Sequence, residues 1–323
     1  MKKNRFVLIS EFAAILKQHW KLDRFGARTE ELLLNSLYVL ADCGYTLLEI
    51  RRLLTDPVFR AICLSRCTNP EVIEYFSTRY DRASEAMQAV YRDAILNKVT
   101  AFTADPHFRH ILGQHKSTFS LVEAIDRGYW IFIVLDKGRL GEQALTLGGL
   151  ALTKLKNALF SRRRRNGVTI YGDELQNLAA IDSGIDVLYA ELRKFNVSIC
   201  SANQFLDQYP PQIRAAIMAV GTHILFQLSS TDADKLAAAL DSGRSMTELL
   251  KNLPRRHMVI KSGHHRPVHA VVPLLDEPRG DYTDLYNRSR ARWARRRTDI
   301  EREIRERANA SEDTPKEPLD DWE

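Results

Sequence analysis

The sequence predicts an α/β protein in which a mostly parallel sheet with flanking helices follows an all-helical domain. Apolar residues recur at helical spacing almost throughout the first 113 residues. Short apolar runs typical of buried strands then alternate with helical segments, which favours a parallel sheet covered on both faces. Near the C-terminal end the chain becomes polar and charged. We therefore predict an all-helical domain at 1–113, an α/β core at 114–275 and a charged, partly helical or disordered tail at 276–323.

Composition indicates a soluble globular protein. Of its 323 residues, 45% are hydrophobic and 27% are charged, which leaves room for two domains and a well-buried core. The net charge of +6 is modest and fits an anionic partner. No window approaches ~18 uninterrupted apolar residues, so no membrane span is expected. No signal peptide is recognisable, and a cytoplasmic location is expected.

Local signals place the predicted elements. In the helical region, Thr29 precedes a segment that ends at Gly44, and Pro57 stands at a helix start. In the α/β region, the segments predicted as strands are 129–136, 168–174, 197–203, 222–228 and two strands joined around Gly263.

The carboxyl ends of the predicted parallel strands should form the ligand-binding edge. Ligands of such sheets bind beyond these ends. The polar residues expected there are Asp136, Asp173, Glu174, Asn203 and Gln204.

Two adjacent acids, Asp173 and Glu174, end the strand "VTIYGDE". A carboxylate is a hard ligand that suits Mg²⁺, so Asp173 is a candidate metal ligand. Glu174 is a candidate to orient or deprotonate a water that attacks a phosphate. The alternative is that both acids only cap the segment that follows.

Two further polar residues follow at regular positions. Gln204 ends the next strand, where its amide can bind the γ-phosphate or the attacking water; alternatively it is a turn residue. Arg193 lies on the helix between the two strands and can stabilise the charge on a nucleotide held by a neighbouring subunit. Otherwise it is a solvated cation at a helix end.

Basic and histidine clusters give weaker signals. Arg162, Arg163, Arg164 and Arg165 either contact nucleic-acid phosphates or form a solvated loop. In the tail, the arginines between 288 and 297 surround Trp293, which either stacks on a base or docks on the protein. Four histidines form a further cluster: His257, His264, His265 and His269. They are either zinc ligands or solvated strand residues, and His265 and His269 could share a strand face.

The chain resembles the HerA/FtsK-type ring ATPases, and among them the conjugative coupling proteins and type IV secretion ATPases. The matching segments are "FSLVEAIDRGYWIFIVLDKGRLG", "VTIYGDELQNLA", "ELRKFNVSICSANQFLDQ" and "GTHILFQLSSTDADKLAAAL". The helical first part is similar to the domain inserted in these motors. The resemblance covers about residues 5–275 and implies a RecA-like core.

The resemblance also implies residue roles. It places the Walker B magnesium ligand at Asp173, the catalytic glutamate at Glu174, the inter-subunit arginine finger at Arg193 and the motif-three glutamine at Gln204. It implies ATP and Mg²⁺ as cofactors, a hexameric ring with DNA in its channel, and type IV secretion or DNA-processing partners. The protein would then be cytoplasmic, peripheral to a membrane secretion complex.

The phosphate loop of these ATPases, G-x-x-x-x-G-K-[ST], does not occur in the sequence. The nearest stretch, "LGQHKST" at 112–118, has His115 where the last glycine should stand, and we interpret it as a link. We therefore expect the C-terminal portion of a motor that does not hydrolyse ATP alone. Either the gene is truncated or another chain supplies the loop. The alternative is a non-catalytic DNA-binding or assembly module on the same fold.

Overall fold

The computed structural model describes residues 9–17, 26–136, 138, 141, 143–179, 185–240, 243–277 and 280–309. The chain divides into two compact units. The first comprises Met1–Ser161 and Tyr282–Glu323, and the second comprises Arg162–Asp281. These two units are defined by packing within the chain. The domain boundaries at 113 and 275 were inferred from the sequence pattern, and they stay a prediction.

The first unit is built from helices in its described residues. None of these helices is long and apolar enough to cross a membrane. They are α1 (9–17), α2 (Ala27–Asp42), a 3₁₀ turn (Leu47–Glu49), α3 (Ile50–Thr55), α4 (Pro57–Arg66), α5 (Pro70–Glu74) with a π-helical continuation (Tyr75–Tyr80), α6 (Glu85–Thr103), α7 (Pro106–Leu112), α8 (Leu121–Asp126), α9 (Gln143–Ser161), α15 (Thr283–Trp293) and α16 (Arg297–Asn309).

Proline and a capping side chain start three of these helices. Pro57 occupies the first turn of α4, as predicted, and the carboxylate of Asp56 accepts hydrogen bonds from the next backbone N–H groups. Asn69 and Asp105 cap α5 and α7 in the same way, each before a proline. Proline has no N–H to leave unpaired at this position, and the cap satisfies the donors that follow.

The predicted tail contributes to the first unit. On α16, Ile300 and Ile304 are buried, and the guanidinium of Arg307 donates to Glu49 (Nε–Oε1, 3.1 Å) and to the carbonyl oxygen of Gly113 (2.6 Å). Trp293 of α15 makes an edge contact with Phe119, which fits the docked rather than the base-stacking alternative. Residues 310–323, for which disorder was expected, lie outside the described residues.

The strand predicted at 129–136 is not formed. These residues pair with no strand of the described chain. Their large side chains are exposed: Trp130, Phe132 and Val134 are 87%, 74% and 82% exposed. The prediction relied on apolar character alone, and a strand also requires a neighbouring edge that accepts its backbone hydrogen bonds.

The second unit contains two small sheets. Its elements are β1 (Val168–Asp173), α10 (Gln176–Ala179), α11 (Ile185–Glu191), a 3₁₀ turn (Leu192–Phe195), β2 (Val197–Ala202), a 3₁₀ turn (Leu206–Gln208), α12 (Pro211–Met218), β3 (Thr222–Leu225), α13 (Ser230–Ala239), α14 (Gly243–Lys251), β4 (His257–Ser262) and β5 (Val268–Val271). β1 pairs with β2 in parallel, and β3, β4 and β5 form an antiparallel sheet.

The parallel character predicted for the sheet is therefore found in one pair of strands. Within the described residues β2 does not pair with β3, so the expected continuous sheet is divided in two. The predicted hairpin around Gly263 is confirmed as β4–β5. In β1 and β2 one set of side chains, including Tyr171 and Cys200, is exposed, whereas coverage of both faces was expected.

Candidate active site

A tight turn at the end of β1 presents the two predicted acids. Leu175 is buried and folds back over Gly172, where a Cβ atom would lie 3.1 Å from its Cδ1 atom. Glu174 takes a left-handed conformation with φ 51°, which is costly for a residue with a Cβ atom. The sequence Gly-Asp-Glu-Leu thus ends the strand abruptly and leaves Asp173 and Glu174 at its carboxyl end.

Glu174 and Gln204 lie in contact, as the predicted ligand-binding edge requires. Asp173 is in register with Ala202 of β2, so Gln204 follows at the same edge. Gln204 Nε2 donates to Glu174 Oε1 at 3.0 Å. Gln176, which the sequence analysis missed, donates from Nε2 to the other carboxylate oxygen of Glu174. Gln176 is 4% exposed, and its place two residues after the acid was the only signal available.

Asp173 is exposed, and its carboxylate makes no hydrogen bond or ion pair with the described residues. An open carboxylate at this edge suits a hard cation such as Mg²⁺. The described residues contain no cluster of three or more protein ligands for a metal ion. Mg²⁺ is typically held by one or two carboxylates together with waters and substrate phosphates, so Asp173 fits such an ion.

One buried contact and two surface ion pairs support the loop that follows Gln204. The backbone N–H of Leu206 donates to Asp232 Oδ2 at 3.2 Å, and Asp232 is buried. Lys235 and Arg214 both bind Asp207, and the hydrogen bond and charge of Lys235, followed by the charge of Arg214, lower the pKa of Asp207. These contacts fix the loop 205–209, which begins directly after Gln204.

A tyrosine pair lies near the same edge. The hydroxyl of Tyr189 donates to Ser201 Oγ at 2.6 Å, and burial raises the pKa of Tyr189. Burial also raises the pKa of Tyr209, and the nearby Tyr189 and Glu174 reinforce the shift. Both tyrosines therefore stay neutral at physiological pH and can contribute only as neutral hydrogen-bonding groups.

Arg193 lies at the opposite end of the same strands. It belongs to the 3₁₀ turn that enters β2, next to the start of β1. The six residues of β1 separate this end from Asp173, which is roughly 17 Å at about 3.3 Å per residue. Arg193 is exposed, and within the described residues its guanidinium makes no hydrogen bond or ion pair. The structure therefore does not bring Arg193 to the acids of its own chain.

The four predicted nucleic-acid arginines divide into two kinds. Arg162 is 3% exposed and donates to the carbonyl oxygen of Phe195. Arg165 donates to the carbonyl oxygen of Lys194 at 3.0 Å and lies 4.3 Å from the ring centroid of Phe195. Arg163 and Arg164 are exposed.

The remaining candidates are dispersed. Asp136 belongs to the first unit, where its Oδ1 atom accepts from the N–H of Gly138 at 2.9 Å. His269 lies 2.9 Å from His257 across the β4–β5 hairpin, measured from Nε2 to Nδ1. His265 lies in the connecting turn, so the predicted pairing of His265 with His269 on one strand face is wrong.

No protein-family model and no curated protein matches this sequence. Among solved structures, VirB4 of Thermoanaerobacter pseudethanolicus is similar with a TM-score of 0.54 and 18% identity, covering 83% of this chain and 69% of that chain. The bacterial conjugative coupling protein TrwBΔN70, in its unbound monoclinic form, is similar with a TM-score of 0.57 and 14% identity, covering 84% and 70%. The resemblance predicted from the sequence is thus confirmed for the fold: the chain folds like VirB4 and like a conjugative coupling protein.

Proposed function

We propose that this chain is the C-terminal portion of a DNA-translocating ring ATPase of the conjugative coupling and type IV secretion kind, with a RecA-like core. It carries the Walker B acids but no Walker A loop. The observation that carries the proposal is the contact between Glu174 and Gln204 at the carboxyl ends of two parallel strands. The shared fold with a conjugative coupling protein supports the same class.

In this proposal, each polar residue at this edge has a different role in ATP hydrolysis. Asp173 has the open carboxylate that a Mg²⁺ ion bound with ATP requires, and the ion would neutralise charge on the phosphates. Glu174 orients the attacking water and accepts its proton, while Gln204 and Gln176 hold its two carboxylate oxygens. The amide of Gln204 would also be available to bind the γ-phosphate.

Arg193 acts on a neighbouring subunit in this proposal. Arg193 lies about one strand length along the backbone from its own acids, and its guanidinium has no partner within the described residues, so we propose that it reaches a phosphate at another copy's site. This geometry supports a homo-oligomeric ring, as in a hexamer with DNA in its channel. The helical domain at 1–113 would then face DNA or a type IV secretion or DNA-processing partner, with the ring peripheral to a membrane secretion complex.

Binding of the nucleotide phosphates requires a phosphate loop, and its sequence motif does not occur in these 323 residues. We therefore propose that a segment outside the sequence supplies it and that this chain does not hydrolyse ATP alone. Among the described residues, β2 pairs only with β1 and β3 pairs only with β4, so an added strand can pair with either.

The second candidate function is a non-catalytic DNA-binding or assembly module. The exposed Arg163 and Arg164 favour it, because cations that contact DNA phosphates need no nucleotide site. Such binding should weaken steeply as the salt concentration rises.

The test is Mg²⁺-dependent ATP hydrolysis by the purified chain, with and without DNA and an added fragment that carries a phosphate loop. The comparison is with Glu174→Gln and with Arg266→Ala, an exposed control in the β4–β5 turn. We expect hydrolysis only with the fragment, abolished by Glu174→Gln and kept by Arg266→Ala. Hydrolysis by the chain alone would contradict the need for an external loop. Salt-sensitive DNA binding without hydrolysis in any mixture would favour the second candidate.

A further inference from the structure

Arg162 is buried although it belongs to a run of four arginines. Only 3% of its surface is exposed, and its guanidinium donates to the carbonyl oxygen of Phe195. A buried arginine is rare unless its head group is paired, because the charge loses its water. The fold therefore uses this cation to hold the backbone of the turn that contains Phe195.

Arg165 contacts the same turn. Its Nη1 atom donates to the carbonyl oxygen of Lys194 at 3.0 Å, and its guanidinium stacks 4.3 Å from the centre of the Phe195 ring. Asn196 returns a hydrogen bond from Nδ2 to the carbonyl oxygen of Arg165 at 2.8 Å. The segment after α9 and the turn before β2 are thus joined by reciprocal contacts.

The backbone of the turn is fixed as well. Asn196 adopts φ 56°, and its N–H donates to the carbonyl oxygen of Arg193 at 3.2 Å. Its own carbonyl oxygen accepts from the N–H of Val168 at 3.1 Å. Arg193 therefore combines a fixed backbone with an exposed guanidinium that makes no hydrogen bond or ion pair within the described residues. The fixed backbone thus defines the position from which the Arg193 side chain extends towards an anion, and its rotamers become ordered only on binding.

We propose that Arg162 and Arg165 are positioning residues for Arg193. They hold the turn 192–196 so that Arg193 is presented to the nucleotide phosphates at the Asp173–Glu174–Gln204 site of a neighbouring subunit. This inference rests on the proposed function for the role of Arg193. The support of the turn by Arg162 and Arg165 rests on the contacts alone. Of the four arginines, Arg163 and Arg164 are left to contact DNA.

Hydrogen–deuterium exchange on the purified chain tests the support of the turn without any activity. The variants are Arg165→Ala and the exposed control Arg266→Ala. We expect Arg165→Ala to speed exchange of the Asn196 and Val168 amides about tenfold, as loss of one charge-assisted hydrogen bond would do. Amides of β4 should exchange at the wild-type rate in both variants. Unchanged exchange at Asn196, or an equal increase throughout the second unit, would overturn the inference.

Subunit mixing tests whether Arg165 acts through Arg193. In the complete motor, with the phosphate loop supplied, Arg165→Ala should lower kcat about tenfold or more, and Arg193→Ala should lower it further, since arginine fingers contribute about 10³-fold or more. Each should regain activity when mixed with Glu174→Gln subunits, which supply an intact Arg193. A mixture of Arg165→Ala and Arg193→Ala should not. Arg165→Lys should recover part of the loss, because lysine keeps a donor for the carbonyl oxygen of Lys194.

The two experiments separate the possible failures. If Glu174→Gln subunits do not restore Arg165→Ala, Arg165 acts within its own subunit and the inference is overturned. If the wild-type mixture does not hydrolyse ATP at all, the proposed function fails, and the exchange rates still decide whether Arg165 holds the turn.

Discussion

The two ends of the β1–β2 pair differ in charge and in what their charged groups bind. At the carboxyl end, Glu174 binds the side chains of Gln204 and Gln176, and Asp173 is open. At the amino end, Arg162 and Arg165 bind backbone carbonyl groups, and Arg193 is open. Within the part of the chain that the structure describes, each end therefore has one charge without a partner next to side chains that are paired. In the proposed function, these two ends would contribute to the catalytic sites of two different subunits.

The different contacts at the two ends predict different effects of mutations on stability. Contacts between side chains at the carboxyl end can be lost with little effect on the backbone. At the amino end, arginine side chains bind backbone carbonyl groups, so these contacts also hold the backbone conformation of the turn 192–196. Stability should consequently depend on the basic end, and the chemistry on both ends.

The largest effect is expected for Arg162→Ala. It removes a buried side chain and leaves the carbonyl oxygen of Phe195 without its donor, so we expect a loss of about 2–4 kcal/mol in the free energy of unfolding. Urea unfolding of the purified chain measures it. Arg163→Ala, a change of the same type at an exposed neighbour, should cost less than about 0.5 kcal/mol. Equal losses in the two variants would show that burial of Arg162 has no energetic role.

Asn196→Ala should have an intermediate effect. The variant loses the hydrogen bond to Arg165 and places a residue without a stabilising side chain at φ 56°, for a cost of about 1–2 kcal/mol. Asn196→Gly, which accepts this φ, should be less destabilised than Asn196→Ala. The check is thermal unfolding of both variants, and an alanine variant as stable as the glycine variant would contradict the role of backbone strain.

Sequence reasoning predicted the carboxyl end better than the amino end. The order of Asp173, Glu174 and Gln204 was readable because each follows an apolar strand segment, and parallel strands bring such residues to one edge. The four arginines look alike in sequence, and only tertiary packing separates the buried Arg162 from the exposed Arg163. The failed strand at 129–136 has the same origin, since apolar character does not reveal which edge a strand will join.

The smallest effect is expected at the carboxyl end, from the pair Glu174 and Gln204. Gln204 is exposed, so Gln204→Ala should cost less than about 0.5 kcal/mol. Glu174→Gln should cost about 0.5–1 kcal/mol, because an amide offers one acceptor oxygen where two neighbouring amides donate. The buried Gln176 should keep that oxygen as its partner, since an unpaired buried amide is more costly than an exposed one.

A double-mutant cycle on Glu174 and Gln204 then sharpens the comparison between the two ends. If the 3.0 Å contact is a charge-assisted hydrogen bond, the double variant should be less destabilised than the sum of the single ones, with a coupling no larger than the loss in Gln204→Ala, below about 0.5 kcal/mol. Additive losses would mean that the two side chains lie close without stabilising each other. Measurable coupling, together with little total loss of stability, would indicate that the carboxyl end is organised mainly for chemistry, whereas the amino end also supports the fold.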